Sequence, residues 1–208
     1  MGRVWGSGRG VRVSVECPPP VRGTRRLRLQ DHTLSIIIGY DAVTLREKVD
    51  LRAAAERLEE LGALRSLSAL NEKAALLRLV GRLDEAFDVA NEATRQARFT
   101  GSREQLTACR IRRAQVLQAQ GKLDDAAYEL THCVADAEAH DWTHVAAFAR
   151  QHRGKVMFDQ GNLEAALTDF TAAVFLREKA GAPADQLESS LIAVAVVESF
   201  IAERDQAD

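Results

Sequence analysis

Between residues 67 and 201 the apolar positions fall in alternating helical patterns separated by glycine breaks, and the pattern recurs with a fixed period. The hexapeptide Gly81-Arg82-Leu83-Asp84-Glu85-Ala86 returns as Gly121-Lys122-Leu123-Asp124-Asp125-Ala126 and again as Gly161-Asn162-Leu163-Glu164-Ala165-Ala166, forty residues apart with no insertion or deletion. Small residues match upstream at Ala74, Ala114 and Gly154 and downstream at Ala93, Cys133 and Ala173, while Leu77, Leu117 and Met157 form a large apolar column. Such self-similarity means stacked identical units.

Each unit reads as helix, turn, helix. The glycine closes a first helix, where a left-handed residue costs it little. Leu83, Leu123 and Leu163 open the second, with Asp84, Asp124 and Glu164 suited to the positive end of its dipole. Small residues at Ala86, Ala126 and Ala166 let the paired helices approach. Between units, Ser102 and Gln105 form a Ser-x-x-Gln capping box after Gly101, and Gly181 and Pro183 break the chain two periods later. The predicted helix pairs span 67–100, 103–140 and 143–180, and the fold class is all-α, a solenoid of stacked helix pairs.

On these columns the chain resembles the tetratricopeptide repeat (TPR) family, in a long-repeat form of about forty residues instead of the usual 34. The resemblance covers about residues 67–201. It departs from the family where a large aromatic is usual near the start of the first helix, here Leu70, Arg110 and Arg150, and in lacking the Pro that often closes a repeat. It implies a right-handed superhelix whose inner surface is lined by the first helices. Carried over position by position, the implied partner-binding groove comprises Asn71, Arg78, Ile111, Gln115, Gln118, Phe148, Gln151, Lys155 and Phe158, with Ala75, Glu188, Leu191 and Glu198 beside them. Amides and isolated bases between two Phe suit an extended peptide or a partner helix, and do not reproduce the Lys and Asn clamp by which chaperone-binding members hold a terminal carboxylate. The implied function is a non-catalytic protein-protein interaction scaffold or adaptor. The alternative is a regulatory sensor module that binds a signalling peptide or transcription factor.

The flanks differ. Residues 44–61 read as a leading helix with Leu51, Ala54 and Leu58 on one face, ended by Gly62, so that 43–62 stands in for half a repeat. Residues 186–202 read as a first helix without a mate, and 204–208 as a frayed polar tail. Residues 1–42 have scattered Gly and Arg, three consecutive Pro and no helical period, and are expected to be a disordered leader or to precede a true start at Val43.

Composition narrows the chemistry. Hydrophobic residues make up 46% and charged residues 28% of 208, a globular balance, and 5% aromatics disfavours a large β sandwich. The first thirty residues carry seven Arg against Glu16, while carboxylates are in excess over the rest. That basic leader could attract nucleic acid, but only Trp5 offers a stacking surface, so nucleic acid is disfavoured. Cys17, Cys109 and Cys133 are odd in number and form no ligand pattern, which fits a reducing, cytoplasmic setting, with Cys109 and Cys133 read as packing residues. The apolar run at 191–197 is far shorter than the ~20 residues of a membrane helix. His140, His144 and His152 invite a metal search, but His140 falls in a loop and no HExxH or carboxylate-histidine set surrounds it. With no Walker loop, dinucleotide motif or nucleophile-base set, no catalytic residue, metal or cofactor is expected.

Two further features are read against ordinary packing. Lys73, Arg113 and Arg153 repeat every forty residues, with Arg110 and Arg150 one turn earlier. This basic ladder is better explained by pairing with acidic side chains of neighbouring helices than by an acidic ligand. On the closing helix, Leu191, Ile192, Val194, Val196, Val197, Phe200 and Ile201 point in nearly every direction, so one face is expected to stay uncovered and to mediate a homodimer unless the leader or tail folds over it.

Overall fold

The computed structural model describes residues 36–207. Among the described residues, two short strands, β1 (Ile37–Tyr40) and β2 (Glu47–Val49), precede eight helices: α1 (Leu51–Leu61), α2 (Leu67–Leu79), α3 (Leu83–Thr100), α4 (Arg103–Ala119), α5 (Leu123–Ala139), α6 (Thr143–Asp159), α7 (Leu163–Lys179) and α8 (Ala184–Ala207). Each helix from α2 packs on the next, and the first helices α2, α4 and α6 also touch in series, so they form an inner layer and α3, α5 and α7 an outer one.

The periodic columns account for this stacking. At Gly121 and Gly161 the backbone turns with φ of 77°, a conformation costly for other residues, and Leu123 and Leu163 begin the next helix at once. The Ser102–Gln105 capping box is formed in both directions. Small residues stand where outer and inner helices meet most closely: a Cβ at Gly154 would lie 2.8 Å from the fully buried Phe170 ring. Ala114, Leu117, Ala126, Leu130, Cys133 and Val156 make the central cluster, and equivalent clusters lie on either side of it.

The chain ahead of α2 departs from the sequence expectation. Residues 44–50 are not helical: α1 begins only at Leu51, where the Asp50 carboxylate accepts hydrogen bonds from the Arg52 and Ala53 backbones. Before it, Glu47–Val49 pairs antiparallel with Ile37–Tyr40. Residues 36–42, assigned to the leader, therefore belong to the fold, while 1–35, with the basic cluster, Trp5 and Cys17, lie outside the described residues. The hairpin loop is knotted by the Asp41 carboxylate, which accepts from the Val43 and Thr44 backbones and the Thr44 hydroxyl. At the other end α8 continues through the supposed tail to Ala207, with Arg204 reaching Glu164 of α7 at 2.7 Å.

The basic ladder is structural. Glu129 receives both Arg110 and Arg113, and Asp169 both Arg150 and Arg153 at 2.9 and 2.7 Å. Lys73 instead donates to the Gly62 and Leu64 carbonyls. The closing helix is also more covered than its composition predicts. Val197 is fully buried, and Val194, Val196, Phe200 and Ile201 are half-buried. Leu191, 49% exposed, is the large apolar residue of that stripe left open. No helix among the described residues is long and apolar enough to cross a membrane.

Candidate functional site

The inner face of the first helices is occupied by residues 36–49 of the same chain. Ile36 enters the cluster of Ala54, Leu61, Ala69 and Leu76 at one end of the array. Leu45 enters the cluster of Ala166, Phe170, Ala193 and Val197 at the other. Leu45 holds φ at 55°, an unfavourable left-handed conformation, while its side chain is buried. Between these anchors, Glu47 accepts from Arg78 of α2 at 3.2 Å and Lys155 of α6 at 3.0 Å. The Tyr40 ring lies 5.3 Å from the Lys155 ammonium, and Arg46 pairs with Asp159 at 2.7 Å.

Of the expected groove residues, Arg78 and Lys155 meet the hairpin directly and Phe158 borders a cleft beside its loop, while the others are engaged within the helices. Gln118 is buried and donates to Asp159 at 2.7 Å. Gln151 is buried and accepts from the Ser190 hydroxyl. Gln115, only 2% exposed, accepts from Arg112 at 2.9 Å, and its amide nitrogen has no partner among the described residues. Asn71 donates to the Leu67 carbonyl and the Cys109 sulfur. Ile111 is a correction: it is fully buried in the central cluster and presents nothing to a ligand. Phe148 is half-buried beneath the Arg112 guanidinium, and Phe158 packs edge to face on Phe200. With Val43, Thr44, Arg46 and Asp159, those last two rings border an open cleft of about 510 Å³ beside the hairpin loop.

Sequence reasoning missed four members of this site. Arg112 and His152 share a forty-residue column with Glu72, a periodic polar position on buried helices that was a usable signal. Tyr40 and Glu47 stand outside the repeat and gave none. The resulting electrostatics are unusual. Burial pulls the Arg112 guanidinium down to about 10, with nearby Arg78 adding to the effect. Burial also depresses Lys155 and holds His152 well below the ordinary imidazole range. Glu47 is held far below the carboxylate range, the pull of Arg78 and Lys155 outweighing the cost of burying it. Arg177 of α7, also buried, hydrogen-bonds the Gln186 carbonyl and the Ser189 and Ser190 hydroxyls.

The remaining candidates for chemistry are dispersed. His140 stacks on Trp142 and meets the Asp136 carbonyl at 2.8 Å, while His152 packs on Phe148. No group of three His, Cys, Asp or Glu that could hold a metal occurs among the described residues. Cys109 and Cys133 are free and buried, and burial pushes the Cys133 thiol up to about 12, away from nucleophile chemistry.

No family model matches the chain, and no curated protein matches it. Among solved structures it is similar to BtubC (BKLC) from P. vanneervenii, with a TM-score of 0.54 and 16% identity over 76% of this chain and 69% of that one. At that identity the likeness is one of fold. Together with the serial packing of α2 to α8, it makes this chain a helical-repeat protein, a solenoid of stacked helices that distantly resembles BtubC in fold.

Proposed function

We propose that the chain is a non-catalytic scaffold of the tetratricopeptide type that binds a protein partner, as an extended peptide or a helix, along the inner face of α2, α4, α6 and α8. The observation that carries this reading is the hairpin itself. A two-stranded hairpin reaches from α1 and α2 at one end to α7 and α8 at the other, held by apolar anchors at its ends and by charge pairs to α2 and α6 between them, as a solenoid holds a segment of chain in its groove. Free, buried Cys109 and Cys133 support work in a reducing compartment such as the cytoplasm. The regulatory-sensor reading draws on the same hairpin, because an occupied groove responds to a partner only by changing shape.

Photo-crosslinking from the native cell extract tests it. A benzophenone side chain at Phe148 or Phe158 is expected to capture a partner that the same group at exposed Tyr128 of α5 does not. Capture with no preference between these sites, or at neither inner position, overturns the reading.

A further inference from the structure

The inner face carries more positive charge than the chain's own segment neutralises. Arg78, Arg112 and Lys155 gather there with His152 among them, Glu47 is the carboxylate paired at their centre, and Arg177 of the outer helix α7 reaches the Ser189 and Ser190 hydroxyls of α8. Asp159 is already taken by Arg46 and Gln118, and Asp185, near Arg177, is exposed. Elsewhere in this molecule a buried or half-buried Arg finds its carboxylate: Arg57 on Glu72, Arg113 on Glu129, Arg153 on Asp169. Among the described residues Arg112 and Arg177 have none. Arg78 Nε and the nearly inaccessible Gln115 Nε2 are buried donors with no acceptor among the described residues. Buried donors left unmade are costly, and a buried cation without a counter-charge more so.

Resting on the scaffold reading, we propose that residues 36–49 are a displaceable occupant of the groove, and that the partner which displaces them is an acidic peptide segment. Its carboxylates take the place of Glu47 between Arg78 and Lys155, give Arg112 a counter-charge, and supply the acceptors that Arg78 Nε and Gln115 Nε2 lack. The hairpin is suited to leave. It has two short strands, its Arg46 pair is half exposed, and Leu45 gives up backbone energy to reach its pocket. A segment with several carboxylates offers the cations more than one Glu can, and its binding weakens with salt.

The test uses a fluorescein-labelled hexaglutamate peptide, with hexaglutamine as the neutral control, on the full chain and on Glu47→Gln, Arg112→Gln and Lys155→Gln. Thermal melts establish that each variant is folded. Removing the internal carboxylate is expected to tighten hexaglutamate binding about tenfold, and removing either cation to weaken it about as much. Saturating peptide is expected to speed amide exchange across residues 36–49 while the helices stay protected. Equal affinity in all four proteins, equal binding of hexaglutamine, unchanged exchange in the hairpin, or no binding at millimolar peptide each overturns the proposal. Partner crosslinking at Phe148 or Phe158 that persists in any of those cases leaves the scaffold reading standing and removes the acidic displacement alone.

Discussion

At the scale of single residues, the repeat columns state where volume is forbidden. Gly154 takes the place of Ala74 and Ala114, and the reason is Phe170, whose ring fills the space a Cβ would need. Gly154→Ala is expected to cost about 1–3 kcal/mol by overpacking, read as a lower Tm, and Phe170→Leu in the same chain should recover part of it. Recovery of none would place the strain elsewhere. His152 gives a pH signature. Unfolded, its imidazole titrates near 6.5, whereas burial, aided by Lys155 on its own helix, Arg112 of α4 and Arg78 of α2, holds it well below that against the pull of Glu47 on β2. As pH falls through this window the unfolded chain takes up a proton that the folded chain refuses, so stability drops. Glu47 titrates far lower and adds nothing there. Between about pH 7.5 and 5.5 the Tm of the chain is expected to fall more steeply than that of His152→Phe, and parallel slopes would exclude the imidazole as cause. Columns of this kind were legible because packing repeats. The protonation of His152 was not, since it is set first by burial and then by charges that tertiary packing brings to it from α2, α4 and β2.

At the scale of elements, helix pairs 67–100, 103–140 and 143–180 were readable almost to the residue, because most boundaries have a local cause in glycine, acidic first turn or side-chain cap, the exception being the turn at 140–142, where Asp141 takes the left-handed conformation at φ 55°. The leading segment was misread for an equally physical reason. Residues 44–50 contain enough helix formers to extend α1, but Asp50 caps the helix and the pairing of Glu47–Val49 with Ile37–Tyr40 is a long-range gain that local propensity does not carry. The β-branched run Ile36-Ile37-Ile38 was its one sequence sign. The arginine ladder links inner to outer helices, and its partners Glu129 and Asp169 are buried. Arg113→Gln leaves Glu129 with Arg110 and is expected to cost about 1–2 kcal/mol. Adding Arg110→Gln strands a buried carboxylate, for a total of about 3–5 kcal/mol. Because none of these side chains touches the hairpin, hexaglutamate affinity should stay within twofold in any variant that remains folded. A larger loss of binding than of stability would return the ladder to the ligand face.

At the scale of the whole molecule, the array must end without leaving its last face wet. The sequence presents α8 as apolar all round, from which an open stripe and a homodimer through residues 187–201 are expected. The structure spends most of that stripe internally: Ala193 and Val197 close over Phe170 and Ala166, Phe200 meets Phe158 edge to face, and Leu45 arrives in the same cluster from the hairpin. A dimer through the face of Val197 would have to dismantle this packing. Light scattering at tens of micromolar, a concentration that populates weak association, is therefore expected to return the 22.8 kDa mass of one chain. Val197→Glu should act as a core lesion, burying a charge at a fully covered position, and lower Tm sharply without any change in mass beforehand. Leu191→Lys, at the open edge, should shift stability by no more than about 0.5 kcal/mol. A doubled mass that Leu191→Lys abolishes would show instead that this edge, small as it is, is where a second copy docks.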